Sequence, residues 1–107
     1  MRTRLDEVRR RYELLDGEDL VGRIDFIERP GVLDMVHVEV DPSRRGQGLA
    51  AVLAAAALAD VRERGLSVIP SCPYLLGYLR GHPDQVDLVP RELRAGLGLA
   101  DGADGRS

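Results

Sequence analysis

Residues 41–65 read DPSRRGQGLAAVLAAAALADVRERG, and this stretch decides the fold. The segment before it, Leu33 to Val40, is rich in valine and stopped by Asp41-Pro42, which predicts a strand running straight into it. Gly46 and Gly48 allow a tight bend and close approach of a ligand to the backbone. Leu49, Val52, Leu53 and Ala56, then Leu58 and Val61, recur at helical spacing in an alanine-rich run and predict one long helix. Arg62 and Arg64 suit its negative end, and Gly65 supplies a left-handed stop. The first N–H groups of such a helix lack internal partners and, with the positive end of its dipole, attract an anion. Arg44 and Arg45 add forked donors suited to phosphate oxygens. The stretch reads as a pyrophosphate cradle, with an ordinary structural turn as the plain alternative. It is not a nucleotide P-loop, because no Lys-Ser/Thr pair follows the glycines. Nor is it the dinucleotide fingerprint, whose third glycine would fall on Ala51.

The bulk composition narrows the class. At 107 residues the chain predicts a single domain spanning 1–107, with an ordered core over about 8–97 and a disordered tail over 98–107. A net charge of −3 and no dense basic stripe argue against a nucleic-acid partner. Every basic side chain besides the two histidines is arginine, so no lysine is available as base or acceptor. A single cysteine forms no internal disulfide, and no metal site is expected. The start MRTRLDEV lacks the apolar run of a signal peptide, and Leu49 to Ala59 is too short to span a bilayer. A cytoplasmic protein without a membrane partner is the expectation. No oversized apolar strip demands a subunit partner, so a monomer or a weak homodimer is expected.

In chain order, Met1 to Glu7 reads as a loose charged lead-in. Val8 to Leu15 alternates, with Val8, Arg10, Tyr12 and Leu14 opposite Arg9, Arg11, Glu13 and Leu15, a strand near an edge or covered on one side. Asp16-Gly17-Glu18 signals a hairpin turn into a second strand, Leu20 to Glu28, whose Leu20, Ile24 and Phe26 should meet the core. After Arg29-Pro30-Gly31 the third strand follows as Leu33 to Val40. Its Val36, Val38 and Val40 should point to the core, and Met35, His37 and Glu39 away from it. Leu66 to Ile69 predicts a short buried strand, parallel to the third through a right-handed crossover. Pro73 then opens a shorter helix carrying Tyr74, Leu75, Leu76, Tyr78 and Leu79 on its apolar surface, closed by Gly81-His82-Pro83. DQVDLV reads as a last extended piece, and Arg91 to Leu97 as a weak helix. The fold class is therefore α/β (α+β): an antiparallel three-strand meander followed by a parallel strand, with one long and one short helix.

Over about Val8 to Val89 the chain resembles the GCN5-related N-acetyltransferases (GNAT), in their small single-domain branch of YjdJ type. The resemblance rests on RYELLDG, His37-Val38-Glu39-Val40, RRGQGLA, VIPSCPY and the late GHP…LV, in this order and spacing. The family loop pattern is Gln/Arg-x-x-Gly-x-Gly/Ala. Here Gly46-Gln47-Gly48 match it with Arg45 before them, while Ser43 holds the first position. The branch has Thr after the strand histidine, where this chain has Val38. The resemblance implies a GNAT-like mixed sheet whose third strand and Leu66–Ile69 splay apart to admit the pantetheine arm of acetyl-CoA. It implies that Val38, Val40, Arg44, Arg45, Gly46, Gln47, Gly48, Leu49, Ala50, Cys72 and Tyr78 contact coenzyme A. It also implies acetyl transfer to an amine acceptor that the residues leave open, or, as the alternative, a CoA-binding module without turnover.

Acetyl transfer from a thioester to an amine requires a deprotonated amine, a polarised carbonyl and a leaving thiolate that is held or protonated. His37 is the first candidate base, by its titration range and by its place in the resembled branch; the plain alternative is a ring tied to a neighbouring carbonyl. Glu39 shares its face and could act alone or through water, or be a solvating carboxylate. Cys72, at a helix start and beside the cofactor thiol in the resembled branch, could relay the acyl group; a small buried pocket residue is the plain reading. Tyr74 and Tyr78 could offer a phenol to the departing sulfur, or be core residues with hydroxyls at the rim. His82 reads as loop punctuation.

Overall fold

The structure is a computed structural model, and it describes residues 1–99. Five strands form one sheet in the order β1 (Arg2–Asp6), β2 (Arg11–Asp16), β3 (Asp19–Arg29), β4 (Val32–Val40) and β5 (Ser67–Pro70). The first four pair antiparallel, and β5 runs parallel to β4. Helix α1 (Leu49–Glu63) provides the crossover between β4 and β5. Then come α2 (Pro73–Arg80), a 3₁₀ stretch (Pro83–Leu88) and one turn of helix, α3 (Arg91–Arg94). Among the described residues no helix is long and apolar enough to cross a membrane.

The core lies between one face of the sheet and α1, with α2 and the 3₁₀ stretch beside it. Tyr12, Leu14, Ile24, Phe26, Leu33 and Met35 meet Leu49, Leu53, Ala54, Ala57, Leu58 and Val61 there. Val38 and Val40 pack at its margin. Alanine at two inward positions of α1 brings the helix close to the sheet: a β-carbon placed on Gly22 of β3 would lie 3.5 Å from Leu53. The Tyr12 hydroxyl donates to Asp60 of α1 at 2.6 Å, and burial holds this phenol protonated. On the opposite sheet face Glu13 is buried but satisfied, with Arg4 Nε at 2.6 Å and Arg11 Nε at 2.7 Å on its two oxygens.

Several sequence expectations are corrected. The supposed lead-in forms β1, because Asp6 Oδ1 accepts the N–H groups of Val8 and Arg9 and closes a tight turn back into β2. Val8 therefore sits exposed in that turn instead of opening a strand. Leu20, expected in the core, is 40% exposed, and Val21 is buried in its place. The β2–β3 register shifts between Leu14 and Leu15, and one extra residue reverses which side chains face inward. The same happens in β4. Asp25 pairs with His37 but Phe26 pairs with Met35, so Val36 is the extra residue of a bulge. Met35 is consequently buried and Val36 is 38% exposed, the reverse of the expected faces, while Val38 and Val40 turn inward as expected.

In α1, Val52 is exposed, and the inward stripe is carried by Leu53, Ala54 and Ala57. DQVDLV is a 3₁₀ stretch that buries Val86 and Leu88, not an extended piece. Gly98 and Leu99, counted with the tail by the sequence, are placed, and Leu99 is buried. The remainder of the expected tail lies outside the described residues.

Candidate active site

The site forms where β4 outruns its parallel neighbour. Pairing with β5 ends at Met35 opposite Pro70, and Cys72 N–H donates to the Met35 carbonyl at 2.9 Å. One residue later comes the bulge, and β4 continues to Val40 with β3 on one side. Among the described residues no strand occupies the other edge of 36–40. The chain turns away at Ser71-Cys72, where Pro73 opens α2, so β5 does not extend alongside residues 36–40 of β4.

The loop that follows β4 is organised by its own side chains. Asp41 Oδ1 accepts from Ser43 N–H and Oγ, both at 2.9 Å, and these bonds hold its carboxyl below the usual carboxylate range. Ser43 is thus engaged in closing the turn Pro42–Arg44. Arg44 Nη1 donates to Asp16 at 2.8 Å, which ties the loop to the β2–β3 turn. Arg45 is exposed and pairs with no described residue. Gly46 (φ 83°) and Gly48 (φ 70°) take left-handed conformations, and a β-carbon on either would meet nothing within 4 Å. The backbone therefore lies open to solvent there. Gly48 is the N-cap of α1 and no side-chain oxygen caps the helix, so the N–H groups of its first turn stay available. Gln47 is exposed and Ala50 half-buried, while the Leu49 side chain enters the core and offers the site only its backbone.

His37 and Glu39 project from the sheet face away from α1. Their side chains are 52% and 53% exposed, and His37 Nε2 lies 3.0 Å from Glu39 Oε1. Arg23 Nη2 reaches the same oxygen at 3.2 Å from the adjacent strand. The bond to His37, and then the charge of Arg23, hold the Glu39 carboxyl below its ordinary range. A carboxylate so placed orients an imidazole and is a poor proton acceptor itself. Arg23, on the outward face of β3, was not among the residues expected at the site; its place across from Glu39 follows from the β3–β4 register, which neither strand's own alternation gives.

Cys72 is buried at the N-cap of α2, and its carbonyl accepts from Leu76. The Cys72 side chain belongs to the core that packs against α1, whereas His37 projects from the opposite face of the sheet. Tyr74 is exposed, and partial burial together with the neighbouring Tyr78 raises its pKa. Tyr78 is half-buried and lines a groove of about 460 Å³ with Ala55, Ala59, Arg62, Glu63 and Gln85. His82 is more than punctuation: its ring stacks on Tyr78 with centroids 3.9 Å apart, and Nδ1–H donates to the Tyr78 carbonyl at 2.7 Å.

The strand that outruns its parallel partner thus runs on into a left-handed glycine turn and a helix without a side-chain cap. Residues 11–88 match the sequence profile of the family described as GCN5-related N-acetyl-transferase, which covers well over half of the chain. The chain belongs to that family. The GNAT fold is seen also by comparison with solved structures. The ribosomal-protein-S18-alanine N-acetyltransferase from Escherichia coli superposes with a TM-score of 0.51 at 17% identity, over 54% of this chain and 38% of that enzyme. This GNAT chain thus spans well under half the length of that structural relative.

Proposed function

We propose that this chain is an acetyl-CoA-dependent N-acetyltransferase acting on an amine by direct transfer. The observation that carries the reading is the end of the β4–β5 ladder at Met35, with β4 continuing alone into the glycine turn and the open N-terminus of α1. The residues present fit coenzyme A: left-handed glycines with open space above them suit a pyrophosphate, and a bare strand edge suits an amide-bearing arm. Bound there, acetyl-CoA supplies an activated acyl group. The N–H groups of 46–50 hold the anionic end, with Arg45 free to add a charge and Arg44 bracing the loop. His37 takes the proton of the incoming amine, and the Tyr74 phenol, exposed in the first turn of α2 and protonated at neutrality, serves as proton donor to the departing sulfur.

Titrating labelled protein with CoA and following amide shifts tests the cofactor. Residues 44–50 and 36–40 should respond together; a silent loop removes the assignment. Steady CoA release from acetyl-CoA with a panel of amines then separates an enzyme from a binding module, which would bind without release.

In this reading Cys72 forms no acyl intermediate, because its buried thiol bonds to no base among the described residues. Cys72→Ala should keep turnover within about threefold, the scale of a packing change. Loss of turnover together with acetyl on Cys72 by mass spectrometry would instead establish a relay.

A further inference from the structure

Arg23 and His37 do not touch, yet both converge on one atom, Glu39 Oε1. The strand register explains why. Arg23 stands across from Glu39, and Asp25 across from His37, on two neighbouring rungs of the same sheet face. Arg23 is clamped from the other side, since its Nε donates to Asp25 Oδ1 and Oδ2 at 3.1 and 3.2 Å. A planar guanidinium spans the two carboxylates at once, one edge on each, and it lies half-buried along the strand. With Leu20, Val21, Gly22, Glu39, Asp41 and Pro42 it also walls a hollow of about 230 Å³.

We infer that Arg23 is a positioning residue for His37, acting through Glu39 and braced by Asp25. An ionised Glu39 can only accept, so the proton of a neutral His37 ring sits on Nε2 and the lone pair on Nδ1. Arg23 keeps Glu39 Oε1 from swinging to solvent, which fixes both the tautomer and the ring plane. The inference rests on His37 being the base. The neighbouring elements also carry Asp25, across from His37 on β3, Asp34 earlier on β4, engaged by Ser71 and Arg29, and the buried Cys72 at the start of α2.

The test uses the full chain and two instruments. In ring-nitrogen NMR the neutral His37 of the wild type should carry its proton on Nε2, and Arg23→Met should mix the two tautomers as Glu39→Gln does. Loss of the single tautomer in Arg23→Met supports the chain of contacts; an unchanged tautomer in that variant overturns it. In kinetics Arg23→Met should lower kcat about tenfold with the KM for acetyl-CoA unchanged, and Arg23→Lys should not restore it, because a point charge cannot bridge both carboxylates. Full rescue by lysine would overturn the two-edged geometry. Should the wild-type protein bind CoA but release none from acetyl-CoA, the proposed activity fails in kinetics, while the ring tautomer still decides the coupling.

Discussion

Replacing His37 with alanine should lower kcat by about 100-fold or more, the lower end of what a positioned general base contributes. CoA affinity should stay unchanged, because the imidazole lies on the sheet face away from α1 while the loop of residues 44–50 leads into that helix. Stability should also hold within about 0.5 kcal/mol, as expected for an exposed side chain whose loss leaves no buried group unpaired. The neighbouring carboxylate cannot simply take over. Glu39 has a folded-state pKa below its ordinary value, so it is ionised throughout the neutral range and gains a proton only as the pH falls through that lowered value. At neutral pH it therefore has little tendency to retain the proton of an amine. The measurement is steady-state kinetics beside CoA titration calorimetry. A loss below about threefold would hand the base role to water or to another group.

Gly48→Val should weaken CoA binding about 100-fold, equivalent to roughly 2.7 kcal/mol. Two effects add. At φ 70° a β-branched residue is strained by about 1–2 kcal/mol, so the turn shifts away from its ligand-ready shape. The new methyl groups also enter the open space above the turn, where no described atom lies within 4 Å and where the anion would approach the N–H groups. Gly48→Asn should cost less, about tenfold, because asparagine tolerates the left-handed region. Gly65→Val is the control. It imposes similar strain at φ 68°, at the far end of α1, and should lower stability without changing CoA affinity. Undiminished CoA binding by Gly48→Val would dismiss the cradle.

The central unit was legible because its signals are local. Valine before Asp41-Pro42, two glycines and an alanine-rich period of 3.6 specify strand, turn and helix without knowledge of any distant residue. Both ends of α1 carry left-handed glycines at the positions read from the sequence, Gly48 and Gly65. The end of the β5 segment at proline and the start of α2 at Pro73 were legible for the same reason. What escaped depends on partners far along the chain. Whether Val36 or Met35 faces the core is decided by the bulge opposite Asp25 and Phe26, and whether Leu20 or Val21 does by the bulge opposite Leu14 and Leu15. Alternation by itself cannot reveal an inserted residue, since a single slip leaves the pattern plausible on either face.

The site divides along the same line. Sequence alone determined that a glycine turn opens a helix after a histidine-bearing strand, since backbone conformational preferences act over a few residues. It also identified His37, Glu39 and Cys72 as the groups with chemistry to offer. Tertiary structure decided which of them cooperate. Pairing of β3 with β4 brought Arg23 and His37 onto the same Glu39 oxygen, and the loop after β4 placed Arg44 on Asp16. The end of the β4–β5 ladder at Met35 decided that residues 36–40 of β4 run on beyond β5. Register, bulges and ladder ends arise from cross-strand hydrogen bonding between segments distant in sequence, so only the assembled sheet fixes them.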